Sequence, residues 1–356
     1  AAARASGQSF LALNSVRPAT LRDYDARLSS FQKWILPQEI DSLDGKQLGD
    51  LVVEYFEELY FEGAGVGDAE KLMSGIEEIG YDELDVFDHV VMGFPTKHRR
   101  APVYDPKMPI MEAVTMLSFA AAVTEHIKLG TGVMVLPQRQ IALVAKQVSS
   151  LDTLSNGRIR LGVGIGWQRS EYEALNENFG TRGRRLEEGV ALLRQYWEDE
   201  HVNFSGQYYQ VEEIAMEPKP PQRGAIPIWI GGTKERALKR IARIGDGWMA
   251  MTAPGDPPIQ EVLPRFKDLL EENGKDPATY PMQMSLSPGA IDKDKRKRFY
   301  NDMDLLVARA CELRDLGFSD TSIDCVPLFQ LGFRSSDALL EQLAKIYEAL
   351  APELSD

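Results

Sequence analysis

Residues Leu151 to Trp167, LDTLSNGRIRLGVGIGW, constrain this chain more than any other stretch. Leu151-Asp-Thr-Leu closes an amphipathic run, and Ser155-Asn156-Gly157 joins turn chemistry to a helix stop. Arg158 to Val163 then alternates and climbs into an apolar strand, which breaks into Gly164-Ile165-Gly166-Trp167. Gln168 to Leu175 reads as helix again. Helix, tight turn, strand, glycine mouth and helix make one step of a parallel sheet, and such sheets bind ligands at the C-terminal ends of their strands. Lacking Cβ atoms, the backbone at this mouth passes close to something bulky, either a ligand or a packed neighbour.

From Ala69 onward the same alternation repeats. Strands are expected near residues 83, 127, 158, 227, 247, 281 and 321, each followed by a helix, among them 109–122, 140–154, 183–197, 258–272, 296–316 and 336–350. The last strand is expected over 321–326, and NFSGQYYQV reads as a hairpin excursion. Strands that alternate with helices pair in parallel through right-handed crossovers, and so many units fit a TIM-type (β/α)8 barrel. One strand is missing, and the deficit falls before Ala69. Residues 1–68 read as a small helical segment, with 69–356 as the barrel domain. Either Phe10 to Leu13 fills the empty slot, or the barrel stays open between its last and second strands.

Composition excludes several classes. A formal charge of −14 argues against a nucleic-acid partner. Two cysteines, Cys311 and Cys325, make no disulfide framework, and the four histidines show no paired-ligand spacing, so no metal is expected. With no long apolar span and no secretion signal in AAARASGQSFLALN, a reduced cytoplasmic protein without membrane partner is the expectation.

The chemistry is expected at the strand ends. Asp88-His89 closes a strand, so the imidazole should point into the mouth and handle a proton, with Asp88 orienting it or capping the next turn. Gly130-Thr131-Gly132-Val133 interrupts a strand and reads as a bulge, which either presses backbone against a flat ring or is a packing kink. Ile230-Gly231-Gly232-Thr233 leads into a helix whose free N–H groups would receive a phosphate. Lys97-His98-Arg99-Arg100 lies near the expected mouth and either holds an acidic ligand tail or is simply a charged, solvated loop, and Arg182, Arg184 and Arg185 are read as partners of Glu187 or Glu188 on the helix surface. Gly162-Val-Gly-Ile-Gly166 lacks the third glycine of a dinucleotide fingerprint, so a nicotinamide site is disfavoured.

In series, Glu78-Ile-Gly-Tyr-Asp82, Asp88-His89, Leu129-Gly-Thr-Gly-Val133, Lys146 to Asp152, Ser155 to Arg158, Gly162 to Trp167, Arg182 to Arg185, Pro227 to Gly232 and Gly245 to Trp248 resemble the bacterial luciferase-like flavin and deazaflavin oxidoreductases. The resemblance covers roughly residues 70 to 350. It implies a barrel enzyme acting on a small organic molecule, with coenzyme F420 as cofactor and FMN as the alternative, and a homodimer. It places catalytic His89 by the reactive ring, with Asp88 beside it. Thr131, Gly132 and Val133 would form the bulge behind the ring, and Ile165, Gly166 and Trp167 would line it. Ser170, Gly231, Gly232 and Thr233 would take the phosphate. The absent first strand leaves a further expectation open, a barrel kept for binding without turnover.

Overall fold

Alternation of apolar strands with capped amphipathic helices produces the architecture. The structure, a computed structural model, describes residues 65–356 apart from 100–103, 105, 109, 253–255, 288–298, 334 and 355–356, so the helical reading of residues 1–64 and the Phe10–Leu13 strand candidate lie outside the described residues. Helix α1 (Gly65–Ile79) leads to β1 (Glu83–Val86), α2 (Ala113–Val123), β2 (Lys128–Thr131) and β3 (Met134–Val135). Then come α3 (Ile141–Leu154), β4 (Ile159–Gly164), the short α4 (Arg169–Ala174) and the long α5 (Arg182–Glu198). The expected hairpin is β5 (Val202–Ser205) with β6 (Gln210–Ile214), paired antiparallel. The remainder is β7 (Ile228–Gly231), α6 (Glu235–Ile244), β8 (Gly247–Ala250), α7 (Ile259–Glu272), β9 (Met282–Ser285), α8 (Met303–Leu316), β10 (Asp320–Ser322), α9 (Cys325–Gln330) and α10 (Ser336–Leu354).

The sheet runs β1-β2-β4-β7-β8-β9-β10, every pair parallel, and β3 also pairs with β4. All seven expected strands are present, and their C-terminal ends share one face. Among the described residues β1 and β10 are the two edges of the curled sheet, and no described strand stands in the first-strand slot between them. Leu340 of α10 packs where Gly75 of α1 has no side chain, the Tyr81 hydroxyl donates to Leu343 O at 2.8 Å, and Tyr81 meets Tyr347 edge-on at 5.3 Å.

Two expected elements differ. The last strand stops at Ser322 rather than 326, because Asp324 Oδ1 accepts the Val326 N–H at 2.9 Å and turns the chain into α9. Helix α8 begins at Met303, where Asp302 caps it by accepting from Leu305 N at 3.2 Å. The arginine pairing on α5 differs as well. Glu187 binds Arg240 and Arg243 of α6, Arg185 binds Glu177, and Arg182 lies 3.7 Å over the Phe179 ring. The first turn of α5 thus faces neighbouring elements rather than its own next turn.

Ser155-Asn156-Gly157-Arg158 proves to be a structural device. Asn156 and Gly157 take φ values of 62° and 82°, which reverse the chain, and Arg158 then donates to Thr124 O, Ile127 O and Ala121 O at 2.8–3.2 Å, closing the end of α2. Outside the sheet, fully buried Trp248 packs on Phe266 at 4.3 Å and donates from Nε1 to Gly232 O at 2.7 Å, fastening β8 to the end of β7. Among the described residues no helix is long and apolar enough to cross a membrane, and no group of three His, Cys, Asp or Glu side chains is placed to hold a metal ion.

The inner face of the sheet carries charge. Arg160 on β4, 5% exposed, pairs with Glu83, binds Asp85 at 2.7 Å and lies 4.2 Å over the Trp229 ring. Burial and the neighbouring Asp85 push the Glu83 carboxyl up to about 7, against the pull of Arg160. The folded chain therefore binds a proton that the unfolded chain has already released. This contribution is complete below the ordinary carboxyl range and is lost as pH rises through about 7. Urea midpoints should accordingly fall between about pH 5 and pH 8, and Glu83→Gln should flatten that slope. An unchanged slope in the variant would assign the pH dependence elsewhere.

Candidate active site

The end of β1 is fixed from two sides. Asp88, 3% exposed, accepts from Val135 N at 3.0 Å and from Arg139 Nη2 at 2.6 Å, which joins β1 to the end of β3. Arg139 also reaches Glu112, the N-cap of α2, at 3.2 Å. With Asp88 engaged there, its neighbours Phe87 and His89 gather about Tyr104, each ring centroid 5.8 Å from the tyrosine's. Trp167, beyond the end of β4, meets His89 edge-on at 5.5 Å.

Glu171 holds this arrangement, and sequence reasoning did not single it out. In the first turn of a helix an acidic residue reads as an ordinary complement to the helix dipole. Here its carboxylate is buried, 1% exposed, and accepts from Val90 N at 2.7 Å, Val91 N at 3.4 Å, Gln138 Nε2 at 3.2 Å and His89 Nδ1 at 3.3 Å. Burial alone would raise the Glu171 pKa, but the bonds from His89, Val90 and Gln138 outweigh it and hold the group ionised, below the usual range. A carboxylate acceptor requires a proton on His89 Nδ1, so Nε2 is the ring nitrogen left for other partners.

Next to this cluster the second parallel segment is interrupted between β2 and β3. The Gly132–Val133 peptide bond is cis, Gly132 N donates to Val86 O at 2.9 Å, and the buried Thr131 hydroxyl donates to Gly162 O at 2.6 Å. Val133 reaches across two strands. A Cβ at Gly164 would stand 2.6 Å from its Cγ2, and one at Gly231 would stand 3.3 Å from its Cγ1. Close packing against the bulge therefore explains the glycines of β4, the plainer of the two meanings their sequence carried. Ile165 O accepts from the Tyr172 hydroxyl at 2.6 Å, and Gly166, at φ 65°, packs on Val135.

The β7 corner lies at the same end. Gly232 has φ 133°, Thr233 Oγ1 is 3.5 Å from Asp256 Oδ2, Lys234 pairs with Asp256, and Lys234 stands at the N-cap of α6 without making a side-chain capping bond. The structure thus gathers His89, Trp167, the bulge and Gly231 to Thr233 on one face, spread over the adjacent strands β1, β2, β4 and β7. Three strand spacings, roughly 14 Å, separate the extremes, a span compatible with one tricyclic ring and its tail. Ser170, at the start of α4, lies against the loop after β1. Its hydroxyl is buried without a hydrogen-bond partner, against Gly93 and close to Arg99, which pairs with Glu173 at 3.3 Å.

The family profile of luciferase-like monooxygenases matches residues 54–299. The chain belongs to that family. An uncharacterized protein of Mycobacterium tuberculosis is 32% identical over 246 residues, covering 66% of this chain and 83% of that protein. An F420-dependent glucose-6-phosphate dehydrogenase of Kineococcus radiotolerans is 29% identical over 253 residues, 67% of this chain and 70% of its own length. Among solved structures, a monooxygenase from Streptomyces bottropensis superposes with a TM-score of 0.65 at 20% identity, covering 81% of this chain and 93% of that one. An F420-dependent secondary alcohol dehydrogenase in complex with an F420–acetone adduct gives 0.62 at 19%, covering 80% and 95%. These likenesses establish the luciferase-like barrel fold.

For this luciferase-like chain, imidazole ¹⁵N NMR should show His89 as the Nδ1–H tautomer when neutral. Glu171→Gln should mix the tautomers, and Glu171→Ala should cost about 3–5 kcal/mol of stability, since four donors lose their acceptor. A single unchanged tautomer in Glu171→Gln would show that the ring is oriented by something else.

Proposed function

We propose that the chain is an F420-dependent oxidoreductase acting on a small organic substrate, with His89 as the proton-handling residue. The observation that carries this reading is the Glu171-held imidazole, placed beside the Gly132–Val133 bulge at the same strand ends as the glycine corner of β7. Relatives named for F420 dependence, at 29% identity, favour this cofactor.

The residues present fit such a group. The buried Ser170 hydroxyl lacks a partner, and the uncapped start of α6 follows directly on Gly231, Gly232 and Thr233. Gly132 and Val133 would back the ring, with Ile165, Gly166 and Trp167 along its edge and Thr131 holding the bulge to β4. When bound, F420 supplies a ring that accepts or returns a hydride. The chain's own part is to place the substrate, keep water out and move a proton. His89 Nε2 takes the proton of a substrate hydroxyl, and Glu171 stabilises the resulting imidazolium through Nδ1. Asp88 acts through position, since Arg139 and Val135 N occupy its oxygens. Two free cysteines, Cys311 and Cys325, agree with a reducing cytoplasmic setting.

FMN-dependent monooxygenation is the second reading, favoured by the description of the matched family. The edge strands β1 and β10 favour a third, a barrel that binds without turning over. Fluorescence titration of the full chain with F420 and with FMN separates them. The expected result is saturable binding of F420 in the micromolar range and weaker binding of FMN. His89→Ala should lower turnover by about 10²–10⁴ with little change in cofactor affinity. An unchanged rate removes His89 from the chemistry, binding without any turnover favours the degenerate barrel, and binding of neither cofactor defeats the reading.

A further inference from the structure

Single exposed apolar side chains are ordinary on a protein surface, but their concentration at one place marks a binding site. Among the described residues ten large apolar side chains are exposed, and six of them sit on loops at the C-terminal ends of β1, β4 and β8. They are Val90, Val91, Phe94, Met111, Trp167 and Met251, with Trp167 at 43% and Phe94 at 57% exposure. The other four are scattered over α3, the β5–β6 hairpin and the stretch after α9.

The apolar rim is held in place. Val90 and Val91 both donate their backbone N–H to Glu171, Gln168 Nε2 donates to Val91 O at 2.7 Å, and Gly93 N donates to Gln168 Oε1 at 3.1 Å. These bonds fasten the loop after β1 to the loop that carries Trp167, so the exposed valines and the indole belong to one surface. His89 and Tyr104 contribute the polar atoms of the aromatic cluster at its edge. Burial and the Asp324 carboxylate raise the Tyr104 pKa, which keeps that hydroxyl neutral. Three cations near the mouth are already paired, Arg139 with Asp88 and Glu112, Arg99 with Glu173, and Lys234 with Asp256, while Lys97 in the loop after β1 is exposed to solvent. A phosphorylated or carboxylated substrate would have to break these pairs to reach Arg139, Arg99 or Lys234, whereas a neutral apolar molecule would cover carbon of the rim that now faces water.

Building on the oxidoreductase reading, we propose that the site takes an uncharged, mostly apolar alcohol or ketone, walled by Trp167, Val90 and Val91, with its single oxygen directed to His89. The occupant is a small molecule rather than a protein, because the apolar surface is continuous with the His89 cluster.

The test uses the full chain, with 2-octanone and cyclohexanol as neutral probes and glucose 6-phosphate as the charged one. Binding is read by saturation-transfer NMR and by the fluorescence difference between wild type and Trp167→Phe. Both neutral probes should bind, glucose 6-phosphate should not, and Trp167→Glu or Val91→Lys should weaken the neutral probes by about tenfold. The proposal is overturned if glucose 6-phosphate binds as tightly as 2-octanone, or if both variants leave the neutral affinities unchanged. It is also overturned if sedimentation shows a concentration-dependent dimer that Trp167→Glu abolishes, since the rim would then be a protein interface. The cofactor titration is independent of these outcomes. Neutral-probe binding with no cofactor binding would defeat the oxidoreductase reading and leave the site's selectivity standing, and cofactor binding with preference for the sugar phosphate would do the reverse.

Discussion

One buried carboxylate organises the active end of this barrel. Glu171 is charged and almost wholly out of water, which is tolerable only because four donors converge on it. Three of them belong to the chain just beyond β1, and the fourth is Gln138 at the end of β3. The carboxylate therefore fastens three neighbouring strand ends together while it selects which nitrogen of His89 carries the proton. Orientation of the imidazole, shape of the rim and order of the loop are one electrostatic solution. Asp88 performs a parallel task a few ångströms away, tying β1 to the same segment through Val135 N and Arg139.

Much of the barrel could be read before any coordinates, because period-two strands broken by glycine and followed by amphipathic helices leave few topologies open. All seven strand positions and the hairpin followed from that pattern. What the pattern could not register was local side-chain capture. Asp324 ends β10 early by binding a backbone amide, and Asp302 sets the start of α8, both through short polar bonds that periodicity does not see. That β1 and β10 are the edges among the described strands also followed from counting, whereas the contact of α1 with α10 rests on Gly75, Tyr81 and Tyr347, whose partners lie far apart in sequence.

The site was legible in outline. His89, the bulge and the glycine corner announced themselves because each departs from what a plain strand or helix needs. Glu171 did not, since an acid in the first turn of a helix is unremarkable until its partners are known. Arg158 likewise shows its role only through its partners, since its guanidinium closes the end of α2. Ser170 gains a meaning only from coordinates, which show its hydroxyl buried against Gly93 without a hydrogen-bond partner.

Val133 sits where Gly164 and Gly231 leave space, so the wall behind the bulge is shaped by main chain and by absent side chains. Such a wall has almost no surface on which substitution could act without collision. The valines, the phenylalanine and the indole of the rim project from loops and are free to vary. Drift or selection in a lineage of such barrels can therefore rewrite which molecules are admitted while leaving the reactive floor inherited intact.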